Sequence, residues 1–282
     1  MVDDAAQLAE WIGRTEQVED DLSPWPARAV AAMLGDASLT PRDGGALPPL
    51  WQWFYFLSTV EQARLSPDGH PERGGFMPPV AQPRRMFAGA RLNFHRPLRV
   101  GTPATRHAEI KNVAVKSGRS GELTFVTVSY AFRQGGELCI EEEQDIVYRQ
   151  PGKPVPAPEP VAPEPVPDGS WSRDVEADSR LLFRFSALTF NAHRIHYDRE
   201  YARDEEGYPG LIVHGPLAAV MLAQLVASHS DRRISAFSFR GLAPLFDLAP
   251  FRLVGQPDGD TVALEVRGPD GRVTQSATAV LA

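Results

Sequence analysis

The chain has 282 residues, a formal net charge of -7, and hydrophobic and charged fractions of 43% and 23%. These values exclude a disordered or fibrous protein and fit two domains of about 100 to 150 residues each. An acidic average argues against nucleic acid as a partner, which needs a concentrated basic surface, yet leaves room for a local basic patch facing an anionic ligand.

The first 21 residues are acidic and amphipathic and lack the basic and apolar regions of a signal peptide. No stretch approaches the ~20 apolar residues needed to span a bilayer, so no membrane partner is expected. The single cysteine, Cys139, excludes an internal disulfide and a cysteine-based zinc site. A reducing, cytoplasmic location follows as the expectation.

Residues 47–65, LPPLWQWFYFLSTVEQARL, follow paired prolines and carry a broad aromatic face, the pattern of a buried helix. The aromatic stripe reads as core. Residues 90–116 and 122–149 alternate as strands, with Gln134-Gly135-Gly136 as a hairpin turn. Between 151 and 169 proline recurs at almost every second or third position, which forbids a helix or an inner strand and predicts an extended spacer without a recognition role.

The second half repeats the order of helix, then strands. Residues 211–229, LIVHGPLAAVMLAQLVASH, read as a helix, and strands over 234–246, 250–268 and 272–282 are separated by turns at Pro257-Asp258-Gly259 and Gly268-Pro269-Asp270-Gly271. Phe94-His95-Arg96-Pro97-Leu98 and Phe239-Arg240-Gly241-Leu242-Ala243-Pro244-Leu245 stand at corresponding places, which supports a duplication. The division is 1–150, a linker at 151–169, and 170–282. One apolar helix with several long antiparallel strands per half is an α+β layout, with each sheet wrapped around its helix as in a double hot-dog.

Seven histidines occur in the chain, and three of them lie between 193 and 214. Within FSALTFNAHRIHYDREYA (185–202), Asn191, His193 and His196 fall within six positions. Three readings compete: a metal site, which lacks a second ligand set at a recognisable spacing; structural histidines; and general acid-base work near neutral pH. Tyr208 to Pro216 opens the apolar helix, where unpaired N–H groups, glycine and a first-turn proline could receive a carbonyl oxygen at Gly215.

Thr189 to Asp198 resembles the site motif of the MaoC-like, (R)-specific enoyl-CoA hydratase (hydratase 2) family, roughly Gly-Asp-x-Asn-Pro-x-His followed by x-Asp. His196 and Asp198 match it, and His214-Gly215 matches the His-Gly pair that opens the family's central helix. Two positions depart: Asn191 stands where the family carries its catalytic Asp, and His193 where it carries Asn. FSALTFNAHRIHYD, with LPPLWQWFYFL, RRMFAGARLNFHRPLRVG and YPGLIVHGP, is similar to a branch comprising hydroxyacyl-thioester dehydratase type 2 and 3-methylfumaryl-CoA (mesaconyl-C4-CoA) hydratase proteins.

That resemblance implies a double hot-dog hydro-lyase with a catalytic C-terminal repeat and an N-terminal repeat that shapes the acyl pocket. His196 is the implied main acid-base, with Asn191 and His193 beside it and the Gly215 N–H as oxyanion donor. His214, Arg194, Arg84 and Arg85 are the substrate-binding candidates, since a free carboxylate favours the arginine fork. The implied substrate is a short branched enoyl-CoA, 3-methylfumaryl-CoA or itaconyl-CoA, giving citramalyl-CoA, with no cofactor beyond the substrate's own CoA. A fatty 3-hydroxyacyl-thioester dehydratase, a hot-dog thioesterase and a non-catalytic acyl-CoA-binding subunit remain alternatives. Homodimerisation is left open.

Overall fold

The computed structural model describes residues 5–36, 41–118 and 121–282; residues 1–4 of the acidic N-terminal segment lie outside it. The first half runs α1 (Ala5–Ala9), β1 (Thr15–Asp20), α2 (Pro24–Leu34), β2 (Arg84–Phe94), β3 (Ala104–Gly118), β4 (Gly121–Gln134) and β5 (Glu137–Arg149). The second runs β6 (Trp171–Val175), α3 (Ser179–Leu188), α4 (Gly215–Ala227), β7 (Ile234–Gly241), β8 (Phe251–Asp258), β9 (Thr261–Arg267) and β10 (Val273–Leu281).

All ten strands form one sheet in the order β1-β3-β4-β5-β2-β7-β10-β9-β8-β6. Read outward from the β2–β7 seam, the two halves match strand for strand, so the chain is one hot-dog unit used twice. The seam is antiparallel and runs from Gly89 opposite Arg240 to Asn93 opposite Ala236. At its end the backbones approach so closely that a Cβ on Gly89 would stand 2.3 Å from the Phe239 carbonyl oxygen. The expected hairpin joins β4 to β5, with Gly135 and Gly136 both at positive φ.

Every residue of α4 from Leu217 to Val226 is buried, which marks a helix packed on all sides. It lies against β6, β8, β9 and β10. It begins at Gly215, whereas the sequence pattern extends the helix back to 211. Ile212 instead bridges to Phe246 as a short piece of strand, leaving residues 211–214 extended.

The larger correction concerns residues 47–65. Only Trp51–Phe54 and Gln62–Arg64 are helical, each as a short 3-10 turn, and Leu50 (φ 71°) and Phe56 (φ 55°) adopt left-handed backbone on either side of the first. The apolar side chains that mimic a helical stripe go to different partners. Trp53 meets Phe87 and Phe239, Phe54 meets Phe185, and Phe56 meets Phe132. A single straight helix presents one face to one neighbour, so this wedge between the halves needs irregular backbone. Each half also carries an edge strand followed by a helix, β1 with α2 and β6 with α3, ahead of the segments read as its helix, which the helix-first order misses.

Residues 151–167 carry neither helix nor strand. They are pinned to the second half, with the Val155 N–H donating to the Gly207 carbonyl at 2.8 Å and the Val161 N–H to the Pro269 carbonyl at 2.9 Å.

Candidate active site

A cavity of about 830 Å³ lies between the two halves, within the usual size range of small-molecule sites. The first half lines it with Trp53, His70, Arg85, Phe87 and Tyr130, and the second with Asn191, His193, His196, His214 and Gly215. Val155 also lines it, so the proline-rich segment does more than span the halves.

His196 ends a 3-10 turn (Arg194–His196) and is buried. Its Nδ1 lies 2.8 Å from the Ile212 carbonyl oxygen. A carbonyl only accepts, so Nδ1 carries the proton and Nε2 is left with a lone pair. Burial lowers the pKa from 6.5 to about 4 against the opposing pull of the Ile212 carbonyl, and the neighbouring His70 lowers it further. His214 stacks on His196 with ring centroids 3.6 Å apart, and its Nε2 meets the Ser186 hydroxyl at 2.9 Å. Burial, then the nearby His196 and His193, push His214 well below its ordinary value.

The chain leaves α3 through Phe190, whose φ of 50° is left-handed, and so swings Asn191 to the cavity. The Asn191 Oδ1 accepts from the His193 N–H at 3.0 Å, which leaves the side-chain amide as the polar group it can offer. His193 is buried, and burial followed by the charges of His70 and His196 keeps it neutral. The three histidines separate into roles: His196 has a free basic nitrogen, His214 supports it from behind, and His193 faces the other way.

What His193 faces comes from the first half. Its ring lies 4.0 Å from that of His70, and the His70 Nδ1 is 3.0 Å from Asp68 Oδ2. Burial raises the Asp68 carboxyl, but the His70 hydrogen bond and charge outweigh it, so the group stays ionised. Donor atoms of Asp68, His70 and His193 lie within 4.8 Å of one another, a grouping invisible to a search for ligands close in sequence. The turn is docked by backbone: the Arg194 N–H donates to the Asp68 carbonyl at 2.9 Å. Sequence reasoning missed Asp68 and His70; the one local signal is a Pro67-Asp68-Gly69 turn next to a scarce histidine.

The arginine candidates differ in what occupies them. Arg194 pairs with Asp198, donates to the Pro67 carbonyl and stacks over Tyr201. Arg84 pairs with the buried Glu206 and donates to the Glu205 carbonyl. Arg85 lines the cavity, its side chain has no ion pair or hydrogen bond among the described residues, and its charge reaches both His70 and His193.

Gly215 starts α4 without a side-chain cap, so first-turn N–H groups remain for a ligand. Across from it, a Cβ on Gly215 would stand 3.8 Å from the Gln275 Oε1. Gln275 is buried, lines the cavity, and has an unpartnered side-chain nitrogen. Like Ser186, it was not found from sequence.

Paired hot-dog units thus bring an imidazole with a free nitrogen and an open helix start to one cavity. Residues 50–247 match the family model of hydroxyacyl-thioester dehydratase type 2. The chain is 62% identical over 277 residues to mesaconyl-C(4)-CoA hydratase of Chloroflexus aurantiacus, covering 98% of this chain and 99% of that protein. Hydroxyacyl-thioester dehydratase type 2 of Schizosaccharomyces pombe is 28% identical, covering 79% of this chain and 81% of the relative. A MaoC-like dehydratase of Phytophthora capsici superposes with a TM-score of 0.70 at 14% identity, covering 99% of this chain and 98% of that one. HtdX of Mycobacterium tuberculosis does so at 0.67 and 20%, covering 94% and 99%. The chain belongs to the hydroxyacyl-thioester dehydratase type 2 family. Among the described residues no helix is long and apolar enough to cross a membrane.

Proposed function

We propose that the chain hydrates a short branched enoyl-CoA bearing a free carboxylate, with 3-methylfumaryl-CoA as substrate and citramalyl-CoA as product. The observation that carries this reading is Arg85, a cation without a partner among the described residues, beside the acid-base histidines. In 3-methylfumaryl-CoA the free carboxylate sits on the carbon that water attacks. Its cation must therefore lie next to the proton-transfer groups rather than at a distant pocket end. The name of the Chloroflexus relative supports the same substrate.

In this reading the thioester oxygen rests on the Gly215 N–H at the start of α4, with the Gln275 amide opposite. A donor aimed at the developing enolate oxygen contributes roughly 10² to 10³ in rate. His196 Nε2 takes a proton from water as the water oxygen bonds to the β-carbon. Asn191 offers its amide to that water, His193 adjoins it, and Ser186 holds His214 beneath His196. No resident cofactor or metal takes part, so exhaustive chelation leaves the rate unchanged.

Dehydration of a fatty 3-hydroxyacyl thioester is the second reading, favoured by the apolar wall of Phe87, Phe132, Ile146 and Val147. A panel of 3-methylfumaryl-, crotonyl- and long-chain 2-enoyl-CoA, followed by mass for the gain of one water, separates the two. Turnover of 3-methylfumaryl-CoA at least tenfold above the others is expected. Preference for the long chains, or release of free CoA thiol in place of hydration, overturns the proposal.

A further inference from the structure

We propose that His70, held by Asp68 on a turn of the N-terminal half, is the second proton carrier of the site and protonates the substrate's α-carbon. This rests on the hydratase reading and adds a group from the half whose sequence carries no catalytic motif. An acid is needed because Asn191 cannot exchange a proton near neutral pH. His196 cannot start as that acid either, since its one proton is committed to the Ile212 carbonyl.

His70 meets the geometric requirements. It lines the same cavity as His196 and Gly215. Its Nδ1 is bound to one oxygen of Asp68 at 3.0 Å, and its backbone N–H donates to the other at 3.0 Å. A carboxylate that orients an imidazole in this way also stabilises its charged form. The turn is closed by the Ser66 N–H donating to the His70 carbonyl at 2.7 Å and the Gly69 N–H donating to the Ser66 carbonyl at 2.8 Å. Gly69 packs so tightly on the Asn191 segment that a Cβ would stand 1.7 Å from the Ala192 carbonyl oxygen. A turn from one repeat is thus set against the motif of the other.

The proton account closes. With the substrate carboxylate on Arg85, His70 carries its proton as an imidazolium paired with Asp68, and His196 starts neutral. A C–O bond forms at the β-carbon as water gives its proton to His196, and the π pair moves onto the thioester oxygen. The enolate then returns that pair to the α-carbon, where a C–H bond forms with the His70 proton. One proton has passed from His70 to His196, and it returns by way of His193, which lies 4.0 Å from the first ring and 5.4 Å from the second. Nothing is oxidised or reduced.

The groups around His70 also couple this acid to the substrate. Burial, with the charges of Arg85 and Arg73, holds the His70 imidazole below its ordinary range against the pull of Asp68; His193 and His196 complete the surrounding set. A substrate carboxylate on Arg85 cancels one opposing charge and tips His70 toward its proton-carrying form. A dicarboxylic acyl group thereby readies its own acid.

The test compares wild type, His70→Gln, Asp68→Asn and Asp68→Glu with 3-methylfumaryl-CoA across pH, each checked for an unchanged melting temperature. His70→Gln is expected to lose about 10²-fold or more in kcat, with KM within about threefold. In Asp68→Asn the imidazolium loses its anion, so the alkaline limb of kcat moves to lower pH by about one unit, and Asp68→Glu restores part of it. A folded His70→Gln with wild-type kcat overturns the proposal. Where that variant does not fold, an Asp68→Asn profile superimposable on wild type does the same. Wild type inert toward every enoyl-CoA overturns the hydratase reading itself, which is a different result.

Discussion

His214 lies stacked beneath His196, with ring centroids 3.6 Å apart and the planes 17° from parallel. Two imidazolium ions cannot share that geometry inside a protein, so acid attacks the fold at this point. The pKa of His196 falls from 6.5 to about 4 on folding, chiefly through burial. Between those values the unfolded chain binds more protons than the folded one, so the stability is full above pH 6.5 and is lost as pH falls toward 4. His196 alone accounts for about 3 kcal/mol over the whole window, and His193 and His214 act in the same direction. Urea unfolding at about pH 7.5 and about pH 5 is expected to differ by at least about 2 kcal/mol. Equal stabilities would show that these rings take up protons without penalty.

The legible and illegible parts of this chain divide by how far their causes lie along it. The turn at Gly135-Gly136 is a local event, dictated by residues next to one another, and it stands where the sequence places it. His193 and His196 are three residues apart, so their cluster is visible in one line of text. The contact of His70 with His193 is written nowhere locally, because it exists only once the two halves have met. The segment 47–65 misleads for a related reason. Apolar spacing reports that Trp51, Phe54 and Phe56 are buried, which is true, but not that their partners lie in different directions.

Gly69 separates backbone strain from site geometry. It sits at φ 92°, with no room for a Cβ against Ala192. Gly74 has nearly the same φ, 89°, but its nearest neighbour would be Pro79 Cβ at 3.8 Å. Gly74→Ala therefore carries the conformational cost alone, about 1 kcal/mol, and keeps activity. Gly69→Ala must also push the turn off the Asn191 segment, adding about 2 kcal/mol or more and lowering kcat at least tenfold. Denaturant midpoints and initial rates on the two variants check this. Equal losses in both would mean that the turn gives way freely and that its docking does not set the site.

Arg85 is the sharpest test of the substrate. Two neighbouring arginines in β2 share a sequence context and differ in what they meet. Arg84 is paired with the buried Glu206, and Arg85 faces the cavity without a partner among the described residues. Arg84→Gln leaves a buried carboxylate uncompensated, so it is expected to lower stability while acting on all enoyl-CoAs alike. Arg85→Gln removes a charge-assisted contact worth about 1.5 to 3 kcal/mol, which corresponds to a roughly 10- to 150-fold fall in kcat/KM. That fall should be confined to 3-methylfumaryl-CoA, with crotonyl-CoA, which lacks the carboxylate, affected less than about threefold. Arg85→Lys keeps the charge but not the fork and should recover only part of the loss. If Arg85→Gln slows both substrates equally, the guanidinium serves the CoA portion that they share, and the carboxylate must be sought elsewhere in the cavity.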